Sequence, residues 1–440
     1  MEDKRKTLTQ LSVPICLETL FYMLSGMVDT LMLSSVSDQA VGAVGTANTY
    51  IGVFIIMFGV ISSGMVAVMS QNIGAGRPGI AYQARQLGFV FNALTGILMS
   101  VFLAVFSGRI LRIVSIAPAL LEPAEIYLKI VGGASFLNAL IPIFSSYLRV
   151  FGYTKHSLIG TVIGNIINII LNSAFLFVLH WGVMGVAVAT VISKVVNLII
   201  VAAMGAVLIK AKQSPERAQP QKILAQIVKI GFPSAFETAL YNMAMTLIVR
   251  FMNQMDMDGM NVTARSYAMQ IANFSYCVGA ALAQANAIMT GWRIGAKKYE
   301  ECDRGTRKAV IYGLITAACF SVTFAISGHF IVHIFTDDAQ MINLVVKLLI
   351  VDIFLEFGRV TNLIYGQALK TSGDAIFPVI MGAIFMYLFA VGGTYFLGIH
   401  MGLLAVGAYI AMAGDECARA VGMVLRWKSG KWKSKSLVEL

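Results

Sequence analysis

Twelve runs of apolar residues, each long enough to supply the ~20 residues a membrane helix needs, limit what this chain can fold into. They fall at about 10–35, 43–70, 84–107, 126–150, 157–179, 183–209, 223–252, 262–289, 307–333, 342–369, 376–398 and 401–426. The loops between them are short except at the centre. Of the 440 residues 58% are apolar and only 12% charged, against roughly 25% charged in a soluble domain. So few charges cannot cover a water-facing surface, whereas lipid solvates apolar side chains directly. The expected fold class is an all-α integral membrane protein with twelve transmembrane helices, consistent with a mean hydropathy of +0.78. Met1-Glu2-Asp3-Lys4-Arg5-Lys6 leads straight into the first run without a short apolar core and cleavage site, so the first helix is expected to be kept.

The +11 net charge follows topology. Lys4, Arg5, Lys6, Arg77, Arg85, Arg149, Lys155, Lys210, Lys222, Arg293, Lys297, Lys298, Arg304, Arg307, Lys308, Lys370 and the basic tail from Arg426 to Lys435 share one side of a twelve-span arrangement. Asp38, Glu122, Glu125, Asp256, Asp258, Asp337 and Asp338 share the other, with Arg109 and Arg112. That distribution predicts a multi-pass protein of the cell membrane with both termini in the cytoplasm, and it removes the reason to expect nucleic acid as a partner. The five cysteines are scattered and odd in number, which indicates neither a disulfide framework nor a zinc site.

The one polar stretch long enough to link domains is Lys210–Lys222, at the midpoint. Across it the sequence repeats. Pro14-x-x-x-Glu18-Thr19-x-x-Tyr22 returns as Pro233-x-x-x-Glu237-Thr238-x-x-Tyr241, and Ile73-Gly74-Ala75 as Ile294-Gly295-Ala296. Leu148-Arg149-x-x-Gly152 returns as Leu369-Lys370-x-x-Gly373, and His180-x-Gly182 as His400-x-Gly402. Four matches in order predict an N-terminal six-helix bundle over 1–209, a cytoplasmic linker over 210–222 and a C-terminal six-helix bundle with a basic tail over 223–440. Six spans is an even number, so the halves are parallel repeats, an arrangement that puts a transport site near the midplane where they meet.

Ionisable residues in membrane helices are expensive, and each needs a reason. In the first run Glu18, Tyr22, Ser25 and Asp29 lie on one helical face, the two carboxylates about 16 Å apart, with Pro14 one turn before as a place to bend. Asn165, Asn168 and Asn172 form a second stripe, as interhelical glue or as ion ligands. The seventh run carries Glu237, Tyr241 and Arg250, and the tenth Asp352, Glu356 and Arg359. Glu356 and Arg359 stand three residues apart, as a packing pair or as cavity charges. Asp415, Glu416 and Arg419 read as a structural pair near the ends of the last span. His329 and His333 lack a fixed third ligand, so no metal is expected. Gly74-Ala75-Gly76-Arg77 lacks the Lys-Ser/Thr of a nucleotide loop, and no catalytic constellation for an enzyme is present. Methionines 243, 245, 252, 255, 257 and 260 cluster around the seventh run, as packing or as an adaptable pocket lining.

With these residues in view the chain resembles the multidrug and toxic compound extrusion (MATE) family, within the wider multidrug/oligosaccharidyl-lipid/polysaccharide flippase group. The carriers are Val28-Asp29-Thr30, Gln71-x-x-Gly74-Ala75-Gly76-Arg77, Arg149-x-x-Gly152, Asn168-x-x-x-Asn172, Gly182-x-x-Gly185-x-Ala187-x-Ala189-Thr190, Gly231-x-Pro233, Gly373-Asp374 and Arg426-x-Lys428-Ser429-Gly430-x-Trp432. The resemblance covers nearly the whole chain. It implies two pseudo-symmetric six-helix bundles in a V shape, and export of bulky cationic or apolar compounds in exchange for protons or sodium. It assigns ion coupling to Asp29, Asn168 and Thr190. Where the family often has a second carboxylate on the fifth span this chain has Asn172, which favours H+ over Na+. Glu18, Tyr22, Glu237, Tyr241, Arg250, Glu356 and Arg359 are expected to serve the substrate cavity, with Pro14 and Pro233 as hinges. The expected partners are a drug-like small molecule and the bilayer, with no cofactor beyond the coupling ion and no obligate second subunit. A flippase of lipid-linked sugar or an endogenous metabolite, and a passive channel, are the alternatives.

Overall fold

The computed structural model describes residues 6–35, 37–113, 118–255 and 258–438; Lys4, Arg5, Asp256 and Met257, and the side chain of Asp38, lie outside the described residues. Among the described residues twelve long helices follow one another in chain order, with a short helix at Gly328–Val332 between the ninth and tenth, and each expected run overlaps one of them. They are α1 (Leu8–Ser34), α2 (Asp38–Gly74), α3 (Pro78–Ile113), α4 (Pro118–Tyr127 continuing through Leu128–Gly132 to Ser135–Val150), α5 (Thr154–Val178) and α6 (Gly182–Leu208). Then come α7 (Pro220–Met252), α8 (Met260–Gly295), α9 (Tyr299–Ile326), α10 (Ala339–Ser372), α11 (Ile376–His400) and α12 (Leu404–Lys428). Most run past the apolar stretches into polar ends, so the helices are longer than hydropathy alone indicates. One is bent: α4 turns by 41° around Gly132-Gly133, whereas α11 runs on through π-helical stretches on either side of Gly392-Gly393.

Among the described residues, eight of these helices are apolar enough on their own to cross a membrane, and α4 makes nine if its bent parts count as one span. The remaining three, α8, α10 and α12, pack on one another and bury polar residues that lower their hydropathy: Arg265 and Asn286, Asp352 and Glu356, and Asp415, Glu416 and Arg419. Such groups survive in a bilayer because they face the bundle interior, where most of them find partners.

The chain clusters into two compact units, one spanning Val13–Gly231 and one formed by Thr7–Ser12 with the chain from Phe232 onward. Pro14 and Pro233 are each the second residue after the chain passes from one unit to the other. In the first unit the start of α7 lies against α2 so closely that a Cβ on Gly64 would meet the Ile227 carbonyl oxygen at 1.9 Å, and one on Gly231 the Val60 carbonyl oxygen at 1.7 Å. A side chain at either position would push the helices apart. The apolar core of this unit gathers Leu33, Leu103, Leu111, Leu128 and Leu176 from four helices.

The second unit has two apolar cores with a polar layer between them. Along α10, α12 and α8 the residues up to Leu355, Ala413 and Ile271 belong to one core, and those from Val360, Met423 and Leu282 to the other. Glu356, Arg359, Asp415, Glu416, Arg419 and Ser275 fall between those boundaries, and Asp352 one turn before Glu356.

The repeated turns share backbone geometry. Gly152 and Gly373 both adopt positive φ, +84° and +101°, and a Cβ on Gly373 would also strike the Lys435 carbonyl oxygen at 2.1 Å. That contact belongs to a docked tail. Trp432 stacks on Trp427 at 4.2 Å and donates its indole N–H to the Trp427 carbonyl, while Asp374, 1% exposed, accepts from Arg426 (2.7 and 3.2 Å) and Lys435 (2.6 Å). Burial alone would raise the Asp374 carboxyl; the hydrogen bonds and charges of Arg426 and Lys435 outweigh it and hold the group below the usual carboxylate range. Its contribution to stability is therefore present above about pH 4 and is lost as pH falls through the depressed value. We expect Asp374→Asn to cost about 3 kcal/mol at neutral pH by leaving Arg426 without its counter-ion, read as a lower melting temperature of the detergent-purified protein. Acidification should narrow the gap between variant and wild type; an equal gap at pH 7 and below pH 3 would remove the ion pair as its cause.

Candidate functional site

Each unit carries its own polar cluster. In the first, Asp29 on α1 accepts a hydrogen bond of 2.6 Å from the Asn172 amide on α5, and the same amide reaches the side-chain oxygen of Asn168 at 3.2 Å. Because that nitrogen serves two acceptors, the amide orientation is fixed by its neighbours. The side-chain oxygen of Asn172 is left buried with no partner among the described residues. Thr190 on α6 donates to its own helix, to the Val186 carbonyl at 2.8 Å, and also bonds the Tyr127 hydroxyl, which in turn bonds Asn48. Asp29, Asn168, Asn172 and Thr190 thus come together, with Tyr127 between Thr190 and Asn48.

Sequence reading missed a cation here. Lys194 lies one turn beyond Thr190 on α6, donates to the Asn138 side chain at 2.9 Å, and its charge acts on Asp29. The signal was a single charged residue, a lysine, inside the run 182–208. Tyr127, Asn48 and Asn138 gave no sequence signal, because helix packing alone brings them to the cluster.

Glu18 is occupied elsewhere. It is 7% exposed, pairs with Arg149 at the end of α4 (2.8 Å) and accepts from Ser157 (3.0 Å). Its repeat counterpart does the same: Glu237 on α7 pairs with Lys370 at the end of α10, at 2.5 Å. Two motifs that repeat separately in the sequence, Glu18 with Glu237 and Arg149 with Lys370, are one duplicated interhelical ion pair. Tyr22 is 66% exposed.

In the second unit a cavity of about 420 Å³ is lined by Glu237, Tyr241, Arg265, Tyr276, Asp352, Arg359, Lys370, Glu416 and Arg419, with Met245, Met269, Met386, Met412 and Met423 among its apolar walls. Glu356, with its side chain fully buried, stands behind that wall, pairing with Arg359 at 2.5 Å and accepting from Ser275 at 2.9 Å. Arg359 reaches Glu416 at 4.0 Å, and Arg419 binds Glu416 (2.9 Å) and Asp415 (2.5 Å). The three residues expected near the ends of the last span sit instead at mid-helix in α12 and continue the Glu356–Arg359 pair into one network, because α10 and α12 pack side by side. Asp352 makes no hydrogen bond or ion pair among the described residues, and the Arg265 Nε is buried without a partner. Arg250 is exposed and does not line the cavity. Among the described residues of the methionine cluster only Met245 does; Met252 is in the apolar core and Met243 is exposed. His329 bonds Asn343 at 3.2 Å and His333 faces Asp337 at 3.5 Å.

An all-α membrane protein of twelve helices, with an isolated acid–amide cluster in one half and a charged cavity in the other, is built as a transporter. The MatE family profile matches residues 14–174 and 233–396, one stretch in each half, and the chain belongs to this family, that of the MATE transporters. It is 32% identical over 441 residues to the uncharacterized transporter YisQ of Bacillus subtilis, covering 99% of this chain and 96% of that one. It is also 26% identical over 456 residues to the probable multidrug resistance protein NorM of Thermotoga maritima, covering 99% and 94%. Among solved structures, a MATE transporter of Vibrio cholerae superposes with a TM-score of 0.88 over 98% of each chain, at 18% identity.

Proposed function

We propose that this chain is a proton-coupled multidrug efflux antiporter of the cell membrane, working by alternating access as a monomer with both termini in the cytoplasm. The observation that carries the coupling is the Asp29 cluster: one carboxylate held by Asn172, an unpartnered amide oxygen beside it, and the charge of Lys194 acting on it. Sodium needs several oxygen ligands and excess negative charge. Here Asn172 stands where a second carboxylate would, and Lys194 already offsets Asp29. A proton needs only the carboxylate. On loading, Asp29 loses its attraction for Lys194 and its strong claim on the Asn172 amide, which frees α1 to bend near Pro14.

The cavity in the second unit supports a drug-sized cargo. Its volume is within the range of small-molecule sites, and five methionines give it a lining that adapts to different apolar shapes. The lining carries three acids, Glu237, Asp352 and Glu416, and four bases, Arg265, Arg359, Lys370 and Arg419, with Glu356 and Asp415 in the network behind it, so acids and bases are nearly balanced and the apolar walls carry the argument for a drug. The Thermotoga relative is named a probable multidrug resistance protein, which supports a drug as cargo. A second reading rests on the unpartnered Arg265 Nε, which would suit an anionic cargo such as a lipid-linked sugar or metabolite.

Purified protein in liposomes tests the proposal when the two gradients are imposed separately. A pH gradient should drive efflux of a cationic dye, and a sodium gradient at matched pH should not. Drive by sodium alone would refute proton coupling, and equal flux without either gradient would make the chain a channel.

A further inference from the structure

We propose that the end of the second unit carrying the docked tail holds the phosphate headgroup of an anionic phospholipid. A separate cavity of about 580 Å³ opens there between the start of α9 and the end of α12, and it shares no lining residue with the first cavity. Five cations line it, Arg304, Arg307, Lys308, Lys428 and Lys433, against two carboxylates, Glu300 and Asp303. Asp303 is already engaged, by Arg307 and by the Trp427 indole N–H at 2.9 Å. Arg304, Lys308, Lys428 and Lys433 have no ion pair among the described residues.

A run of exposed cations at a membrane surface is ordinarily just solvated and topological. Two observations set this one apart. The first is its shape. The cations surround a concavity with an aromatic floor, the stacked pair Trp427 and Trp432, both buried, with Tyr299 at 5.9 Å from the Trp432 ring. The second is the wall below. Arg304, Lys308, Ile311 and Ile315 follow at i, i+4, i+7 and i+11 on one face of α9, and Ile311 and Ile315 are 53% and 56% exposed. Charge for a phosphate is thus continuous with apolar surface for acyl chains, and Ile311 belongs to both. A free phosphate would use the cations but leave that apolar run unused; a phospholipid uses the whole surface.

The test uses the full-length chain purified in mild detergent, with adducts counted by native mass spectrometry during titration with dioleoylphosphatidylglycerol, dioleoylphosphatidylcholine or inorganic phosphate. The wild type should retain phosphatidylglycerol selectively. Arg304→Gln/Lys308→Gln/Lys433→Gln should bind it on the order of 100-fold more weakly, about fivefold for each cation removed. Lys210→Gln/Arg217→Gln/Lys222→Gln, which removes the same charge from the linker, should bind as the wild type does. Lys433→Gln alone, at an exposed position, provides the fivefold step should the triple variant fail to fold. Undiminished binding by the cavity variants, an equal loss in the linker variant, or displacement of the lipid by inorganic phosphate would each overturn the proposal.

Discussion

Asp29→Asn should reduce pH-driven efflux to the leak of protein-free liposomes while leaving the fold intact. The substitution is nearly isosteric, and its side-chain oxygen still accepts the Asn172 amide that Asp29 accepts at 2.6 Å, so the link between α1 and α5 persists. What disappears is the site for a proton and the negative charge that answers Lys194. The measurement is dye efflux from liposomes under an imposed pH gradient, beside the melting temperature of the same preparation. Loss of transport with an unchanged melting temperature is the expected pair of results. A wild-type rate would sink the coupling role of this carboxylate, because no other residue of the first unit's cluster, from Asn168 and Asn172 to Thr190 and Lys194, replaces its acid function.

The sequence made Asp29 visible because an acid inside an apolar run is costly and must be explained. Its spacing from Glu18 and Tyr22 was legible too, as a helical face. The fates of the two carboxylates were not. Glu18 and Asp29 look alike in sequence, but Glu18 faces Arg149, 131 positions away, whereas Asp29 faces an amide and a more distant lysine. Periodicity reports which residues share a face and says nothing of what the facing helix brings. The duplication carried more than it first disclosed: Glu18 and Arg149 recur as Glu237 and Lys370, and in both halves the recurring acid meets the recurring base. Two motifs repeating at similar offsets in both halves were a clue that they touch.

The second unit was harder to read for the same reason. Its three most polar helices, α8, α10 and α12, match membrane spans poorly by composition, yet they form the interior of the bundle, where polar groups find partners. Asp415, Glu416 and Arg419 lie so close in sequence that a local pair accounts for them. Only the packing of α12 on α10 shows Glu416 shared between Arg359 and Arg419. Likewise the methionine cluster near α7 drew attention to Met243 and Met252, whereas four of the five methionines on the cavity come from α8, α11 and α12.

That network sets up the second large effect. Arg359→Met should destabilise the protein by about 3–5 kcal/mol, because Glu356 has a fully buried side chain and would keep only Ser275 to answer its charge. Glu356→Met/Arg359→Met should recover most of that loss. Removing both members of a buried pair in favour of apolar groups is commonly neutral or stabilising, whereas removing one strands the other. A double-mutant cycle on thermal stability in detergent reads the coupling directly. Transport sharpens the reading. Glu356 stands behind the cavity wall with its oxygens engaged by Arg359 and Ser275, so the pair is expected to brace α10 against α8 rather than to bind cargo. Export should therefore return with stability in the double variant. A double variant that is stable but inert would instead assign the pair to transport, and Arg359, which lines the cavity and stands 5.9 Å from the Tyr276 ring, would be the member that meets the substrate.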